Sequence, residues 1–136
     1  MAAAMIGLLA GCGGGDRVEV YPATGTVTYR GQAADGAEVT LYWAGDAVPD
    51  RRFPIPSGIV GGDGRYELTS FEPADGAPPG DYRATVVWLE ALKPGENPEA
   101  IARGDRLGAR YANPETSGLS ATIEPRGNAL PPFDLQ

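Results

Sequence analysis

Short runs of alternating apolar and polar residues, each closed by glycine or proline, leave this chain little choice but a β-architecture. Thr26-Val27-Thr28-Tyr29-Arg30 puts Val27 and Tyr29 on one face, and Gly31 marks the turn that follows. Glu38 to Trp43 directs Val39, Leu41 and Trp43 inward, with Glu38, Thr40 and Tyr42 on the opposite face. Arg65 to Thr69 buries Tyr66 and Leu68. Tyr82 to Trp88 is the strongest run: Tyr82, Ala84, Val86 and Trp88 point one way, Arg83 and Thr85 the other, and Val87 and Leu89 suggest a far end covered on both faces. Leu119, Ala121 and Ile123 alternate again, residues 58–60 can add a short strand, and Pro131 to Leu135 reads as an extended edge segment. Six or seven short strands with almost no helix indicate an all-β sandwich.

The connections are equally legible. Ala44 to Ser57 holds three prolines among charged residues and reads as an exposed loop. Gly61-Gly62-Asp63-Gly64 is a tight turn, and Glu72 to Asp81 is a loop rich in Pro and Gly. The stretch from Ala91 to Gly118 is long for a connection in a compact domain. It has room for one short helix, with Asn97 as cap, Pro98 and Glu99 in the first turn and Gly104 as terminator.

The chain has 136 residues, room for one domain, and a net charge of −7. That acidity argues against nucleic-acid binding, which needs a basic face, and against electrostatic docking on anionic lipid. Histidine is absent, which removes the usual general base and the commonest metal ligand. One cysteine permits no disulfide within the chain, so packing must hold the fold. No cofactor is implied.

The cysteine is Cys12, preceded by Leu9-Ala10-Gly11 and followed by three glycines. The segment from Met1 to Gly11 is uncharged and apolar, too short to cross a hydrocarbon core of about 30 Å as a helix but of the length of a signal-peptide core. The pattern resembles the lipobox of bacterial lipoprotein precursors, although it lacks the usual N-terminal Lys or Arg. The resemblance implies cleavage after Gly11, acylation of the Cys12 thiol, and anchoring in a membrane through chains that contribute about 0.8 kcal/mol per buried methylene. It divides the chain into a signal peptide over 1–11, a flexible tether over 12–20 and a folded domain over 21–136. Gly13 after Cys12 lacks the Asp that marks inner-membrane retention, so the resemblance implies the outer membrane, facing the periplasm or the cell surface. With Cys12 acylated, no thiol remains for catalysis or zinc.

A second resemblance covers Tyr21 to about Trp88. Gly25-Thr26-Val27, Gly36-Ala37-Glu38-Val39-Thr40, Asp63-Gly64-Arg65-Tyr66-Glu67-Leu68 and Pro79-Gly80-Asp81-Tyr82-Arg83-Ala84-Thr85-Val86 occur in that order. This looks like the transthyretin-like, or carboxypeptidase regulatory-like, domain. It implies a seven-stranded prealbumin-type sandwich in which the Asp63-Gly64 turn links two antiparallel strands and Pro79-Gly80 starts the next one. It carries over no catalytic residue.

The candidate sites are few. Asp63 stands alone in its turn, whereas a calcium loop needs several oxygen ligands, so turn chemistry is the simpler role. Glu72 with Asp75, and Asp46 with Asp50, are carboxylate pairs of the kind glycoside hydrolysis uses, but they lie in polar loops where solvated charge is the default. Tyr42 and Tyr111 are expected to be exposed and, with Arg106 and Arg110, to form a recognition surface, although internal pairing of the Arg103, Arg106 and Arg110 cluster with Asp105 or Glu99 competes. The reading that follows is a non-enzymatic, lipid-anchored envelope protein whose sandwich is a structural or adhesive module. Its alternatives are a module that binds a glycan, a peptide or a small hydrophobic ligand through the 91–118 loop, whether on an envelope protein or free, and a hydrolase built on loop carboxylates.

Overall fold

The computed structural model describes residues 17–49 and 52–136. Leu9, Ala10, Gly11 and Cys12 lie outside the described residues, as do Asp50 and Arg51. The architecture is all-β: β1 (Ala23–Tyr29), β2 (Gln32–Ala33), β3 (Glu38–Trp43), β4 (Ser57–Ile59), β5 (Arg65–Glu67), β6 (Gly80–Val87), β7 (Leu119–Ile123), β8 (Asn128–Ala129) and β9 (Phe133–Leu135). Nine strands replace the expected seven because β2 and β8, two residues each, are too short to leave an alternation in the sequence.

Two sheets face each other. The five-stranded sheet is organised on β1. β5 and β2 run antiparallel along one edge of β1, with Thr24 opposite Glu67 and Thr28 opposite Ala33. β8 and β9 run parallel along the other, with Ala23 opposite Asn128 and Val27 opposite Phe133. Pro131 and Pro132, which have no N–H to donate, occupy the gap between them. The other sheet is antiparallel throughout, in the order β4-β3-β6-β7. Arg30 and Gly31, at φ 52° and 80°, form the two-residue turn from β1 to β2 whose twist suits a tight hairpin.

The inward residues behave as the alternation requires: Val27, Val39, Leu41, Leu68, Ala84 and Val86 are fully buried. Tyr66 lies directly opposite Gly25, and its ring fills the space where a Cβ at position 25 would sit. Its hydroxyl is buried with no hydrogen-bond partner among the described residues, and desolvation pushes its pKa up to about 12. Tyr82 differs: its hydroxyl donates to the Pro78 carbonyl at 2.7 Å, and burial raises its pKa as well.

Two expectations about the loops are corrected, whereas the Asp63-Gly64 turn does link antiparallel segments: it is a corner joining β4 to β5, which belong to different sheets and pair at the Ser57–Thr69 bridge. Gly64 takes φ 82° there, and Asp63 Oδ1 accepts from Arg65 N at 3.0 Å. The short helix over 97–104 does not form. Asn97 Oδ1 accepts from Glu99 N at 3.0 Å and its carbonyl from Ala100 N at 3.0 Å, but the chain leaves the helical path after this turn, as such a short segment without tertiary support would. Finally, Tyr111 is buried rather than exposed, at 8%.

At the N-terminal end, Arg17 pairs with Glu72 at 3.4 Å and lies over the Phe71 ring, while Tyr21 and Ala77 exchange backbone bonds of 3.0 Å. The chain therefore meets the sandwich at its 69–79 loop.

Candidate functional site

The burial of Tyr111 follows from what the 91–118 loop does. β7 pairs with β6 only as far as Leu119 opposite Ala84. Beyond that point the loop takes over the exposed edge of β6. Val86 N donates to Tyr111 O at 2.9 Å, Arg106 N to Trp88 O at 2.7 Å, and Glu90 N to Gly104 O at 2.8 Å. The handover is filled by Ser117, whose hydroxyl donates to Ala84 O at 2.6 Å. Asp105 holds the loop in place: its carboxylate accepts from Trp88 N, Leu107 N and Ala109 N at 3.0–3.2 Å. An edge strand otherwise open to other chains is thus covered from within.

The arginines of the loop are spent locally, and not on Asp105 or Glu99. Arg106 stacks on the Trp88 ring with its guanidinium carbon 3.6 Å from the centroid, while Trp88 donates its indole N–H to Asp35 O at 2.8 Å. Arg110 donates to Gln136 O at 3.2 Å and lies over Tyr111, whose hydroxyl accepts from Gln136 N at 3.3 Å. Tyr42, Arg106, Arg110 and Tyr111 therefore do not form one surface. Of the four, Tyr42 alone lines a cleft, on the outer face of the β4-β3-β6-β7 sheet.

That face carries a cleft of about 420 Å³, within the size range of small-molecule sites. Its floor is the outer side of the β4-β3-β6-β7 sheet, built from alternate residues of neighbouring strands. Register sets the rows: Ile59, Glu38 and Val87 lie side by side, and Thr40 lies opposite Thr85. Tyr42 stands at one end and Leu89 at the other, and Arg103 and Ala112 of the long loop form a wall. Thr85 faces outward as the alternation requires, yet the cleft leaves it only 3% exposed, and its hydroxyl has no partner among the described residues. Arg103 anchors itself through Nε to Glu90 O at 2.7 Å, which leaves its terminal nitrogens for the cleft. Arg103 was noted in the sequence only as part of a basic cluster, and Thr40, Thr85 and Glu38 were not named as site residues; the signal was the shared outward face of Glu38, Thr40 and Tyr42, which gains meaning only once β3 is known to lie beside β6.

A second concavity, about 540 Å³ and more open, lies where β4 and β5 part, lined among others by Ile59, Asp63, Arg65 and Glu67. Asp63 is engaged there in its own turn, as described above. Pro79 and Gly80 serve the start of β6: Gly80, at φ 145°, lets the Trp43 ring lie against the backbone where a side chain would collide. Asp75 is a turn residue too. Partial burial pushes its pKa up, but bonds from the backbone N–H groups of Ser70, Glu72 and Phe71 outweigh that and lower it. Glu72 is turned to Arg17. Among the described residues no group of three His, Cys, Asp or Glu side chains could hold a metal ion, and no helix is long and apolar enough to cross a membrane.

A solved structure of a DUF3823 family protein from Parabacteroides merdae is similar to 85% of this chain, at 20% sequence identity and a TM-score of 0.38. The chain spans about half the length of that protein, 46% of it being covered. No family model matches the chain, and no curated protein matches it.

Proposed function

We infer that the chain is a lipid-anchored protein of the cell envelope, held by acyl chains on Cys12, whose sandwich acts as a non-catalytic structural or adhesive module. The single observation that carries this reading is the sequence Leu9-Ala10-Gly11-Cys12, with three glycines after it and no other cysteine in the chain. The ordered motifs that resemble a transthyretin-like domain support a module role. The short distance along the chain from Cys12 to Arg17 fits a domain kept close to its anchor, since five residues reach at most about 18 Å. The loop carboxylates also support a non-catalytic reading: Asp75 accepts three backbone N–H bonds and Glu72 pairs with Arg17. Gly13 after Cys12 favours the outer membrane. Intact-mass measurement of protein taken from membranes tests the reading. The expected mass starts at Cys12 and carries two or three acyl chains; a mass that includes Met1 to Gly11 without them overturns it.

The cleft favours a second reading, a binding module within the same anchored protein. Thr85, on an outward face yet only 3% exposed and with no partner for its hydroxyl among the described residues, is what sets this cleft apart from an ordinary sheet surface.

A further inference from the structure

We propose that the cleft over the β4-β3-β6-β7 sheet takes a neutral oligosaccharide, with one sugar ring on Tyr42, another on Val87, and hydroxyl groups on Thr40, Thr85, Glu38 and Arg103. The proposal rests on the binding-module reading and names the ligand class for that site.

The chemistry of the lining selects among ligands. The cleft contains one carboxylate, Glu38, and one guanidinium, Arg103, so its charge is balanced and an ionic ligand gains no net attraction. Neither group forms an ion pair with another described residue. Together they can accept from and donate to neighbouring hydroxyl groups, which suits a polyol. At the centre Thr40 and Thr85 stand directly opposite each other on adjacent strands. Thr85 is 3% exposed as a residue and its hydroxyl has no partner among the described residues, so a hydrocarbon chain laid across the pair would cut that hydroxyl off from water with nothing in exchange. A sugar hydroxyl supplies that partner. Tyr42, 37% exposed at the end of the cleft, and the half-buried Val87, which lies in the Glu38 row four residues along the strand, offer apolar area to the C–H faces of two separate pyranose rings of one oligosaccharide. A peptide is less suited. The backbones of β3 and β6 are already paired with each other beneath the cleft, so no open strand edge is offered for main-chain recognition.

The test uses the full mature chain, isotope-labelled, titrated with cellobiose, maltotriose and N,N′-diacetylchitobiose as probes and with decanoate as the hydrocarbon competitor. At least one saccharide is expected to shift the amide signals of Thr40, Tyr42, Thr85 and Val87. Thr85→Val, which keeps the shape and removes the hydroxyl, is expected to weaken that saccharide about five- to tenfold and to strengthen decanoate. Tyr42→Ala, at an exposed position, should weaken the saccharide by a similar factor without unfolding the protein. Decanoate shifting these signals while no saccharide does, or Thr85→Val leaving saccharide affinity unchanged, overturns the ligand class but leaves a binding cleft. Silence from every probe at about ten millimolar overturns the proposal and the binding-module reading together.

Discussion

The two ends of the sandwich use the same device for different purposes. At the N-terminal end, the loop after β5 is organised by Asp75, which accepts from Ser70 N, Phe71 N and Glu72 N at 2.7–3.1 Å. At the C-terminal end, the loop after β6 is organised by Asp105, which accepts from Trp88 N, Leu107 N and Ala109 N. Each end also has one tryptophan. Trp43 packs edge-on against Phe53 and Tyr82, with ring centroids 5.0 and 5.5 Å away. Trp88 is more deeply held, between Tyr29 and Arg106, with its indole N–H committed to Asp35. The difference lies in what the loop covers. The 69–79 loop folds back on its own strand and on Tyr21, closing that end of the sandwich. The 91–118 loop extends the sheet itself and raises a wall over its outer face. A capping carboxylate is structural at one end and site-forming at the other.

The largest expected effect separates the tryptophans. Trp88→Ala removes a side chain that is 7% exposed and should cost about 3–5 kcal/mol in urea unfolding. Trp43→Ala, at a half-buried position, should cost about 1–3 kcal/mol. Equal losses would show that the two ends are held equally, contrary to the packing.

Alkaline pH provides the next contrast. Tyr66 keeps its proton more tightly when folded, with its pKa raised from 10.0 to about 12 by desolvation. Its contribution is therefore complete below the unfolded value of 10.0 and is lost as pH rises through about 12. The loss from this residue should be roughly 2–3 kcal/mol. Tyr82 acts in the same direction. Stability measured from pH 8 upward should be flat and then fall, and in Tyr66→Phe the fall should be shallower. A wild-type curve that stays flat above pH 12 would remove the buried-tyrosine account.

Asp105→Ala and Asp75→Ala should each cost about 1–2 kcal/mol, because each strands backbone donors around one carboxylate. They should differ elsewhere. Only Asp105→Ala should shift the amide signals of Thr85 and Val87, since only that loop walls the cleft. Identical signatures from the two variants would break the distinction drawn between the ends.

What the sequence revealed of this difference was uneven, for physical reasons. A strand buried on one face records its orientation as alternation, so Val39, Leu41, Tyr82, Ala84 and Val86 were readable as core. Partnership leaves no such record. That β3 lies beside β6, bringing Thr40 to Thr85, depends on tertiary pairing, and the cleft depends on that pairing. The 91–118 loop was readable as long, but its role as a surrogate strand was not, because its hydrogen bonds to Trp88 and Val86 come from residues without strand alternation. Tyr111 was misjudged for the same reason: a tyrosine in an apparent loop reads as exposed until the loop is known to join the sheet. Asp63-Gly64 was read correctly as a turn from its own residue types, whereas the sheets it connects were not contained in them.

The smallest effect is the most exacting, because it asks two tyrosines of similar burial to answer oppositely to the loss of one oxygen. Tyr82 donates its hydroxyl to Pro78 O, and a buried hydrogen bond of that kind contributes about 1 kcal/mol net, so Tyr82→Phe should destabilise by about that amount. Tyr66 carries a hydroxyl that left water and gained nothing, so removing it recovers a desolvation cost. The ring remains over Gly25, which has no side chain to readjust, and the packing is retained. Tyr66→Phe should therefore stabilise by up to about 1 kcal/mol, read as a higher urea midpoint with an unchanged slope. A destabilised Tyr66→Phe would mean that the hydroxyl has a partner, and the space around Gly25 would then have to contain an ordered water.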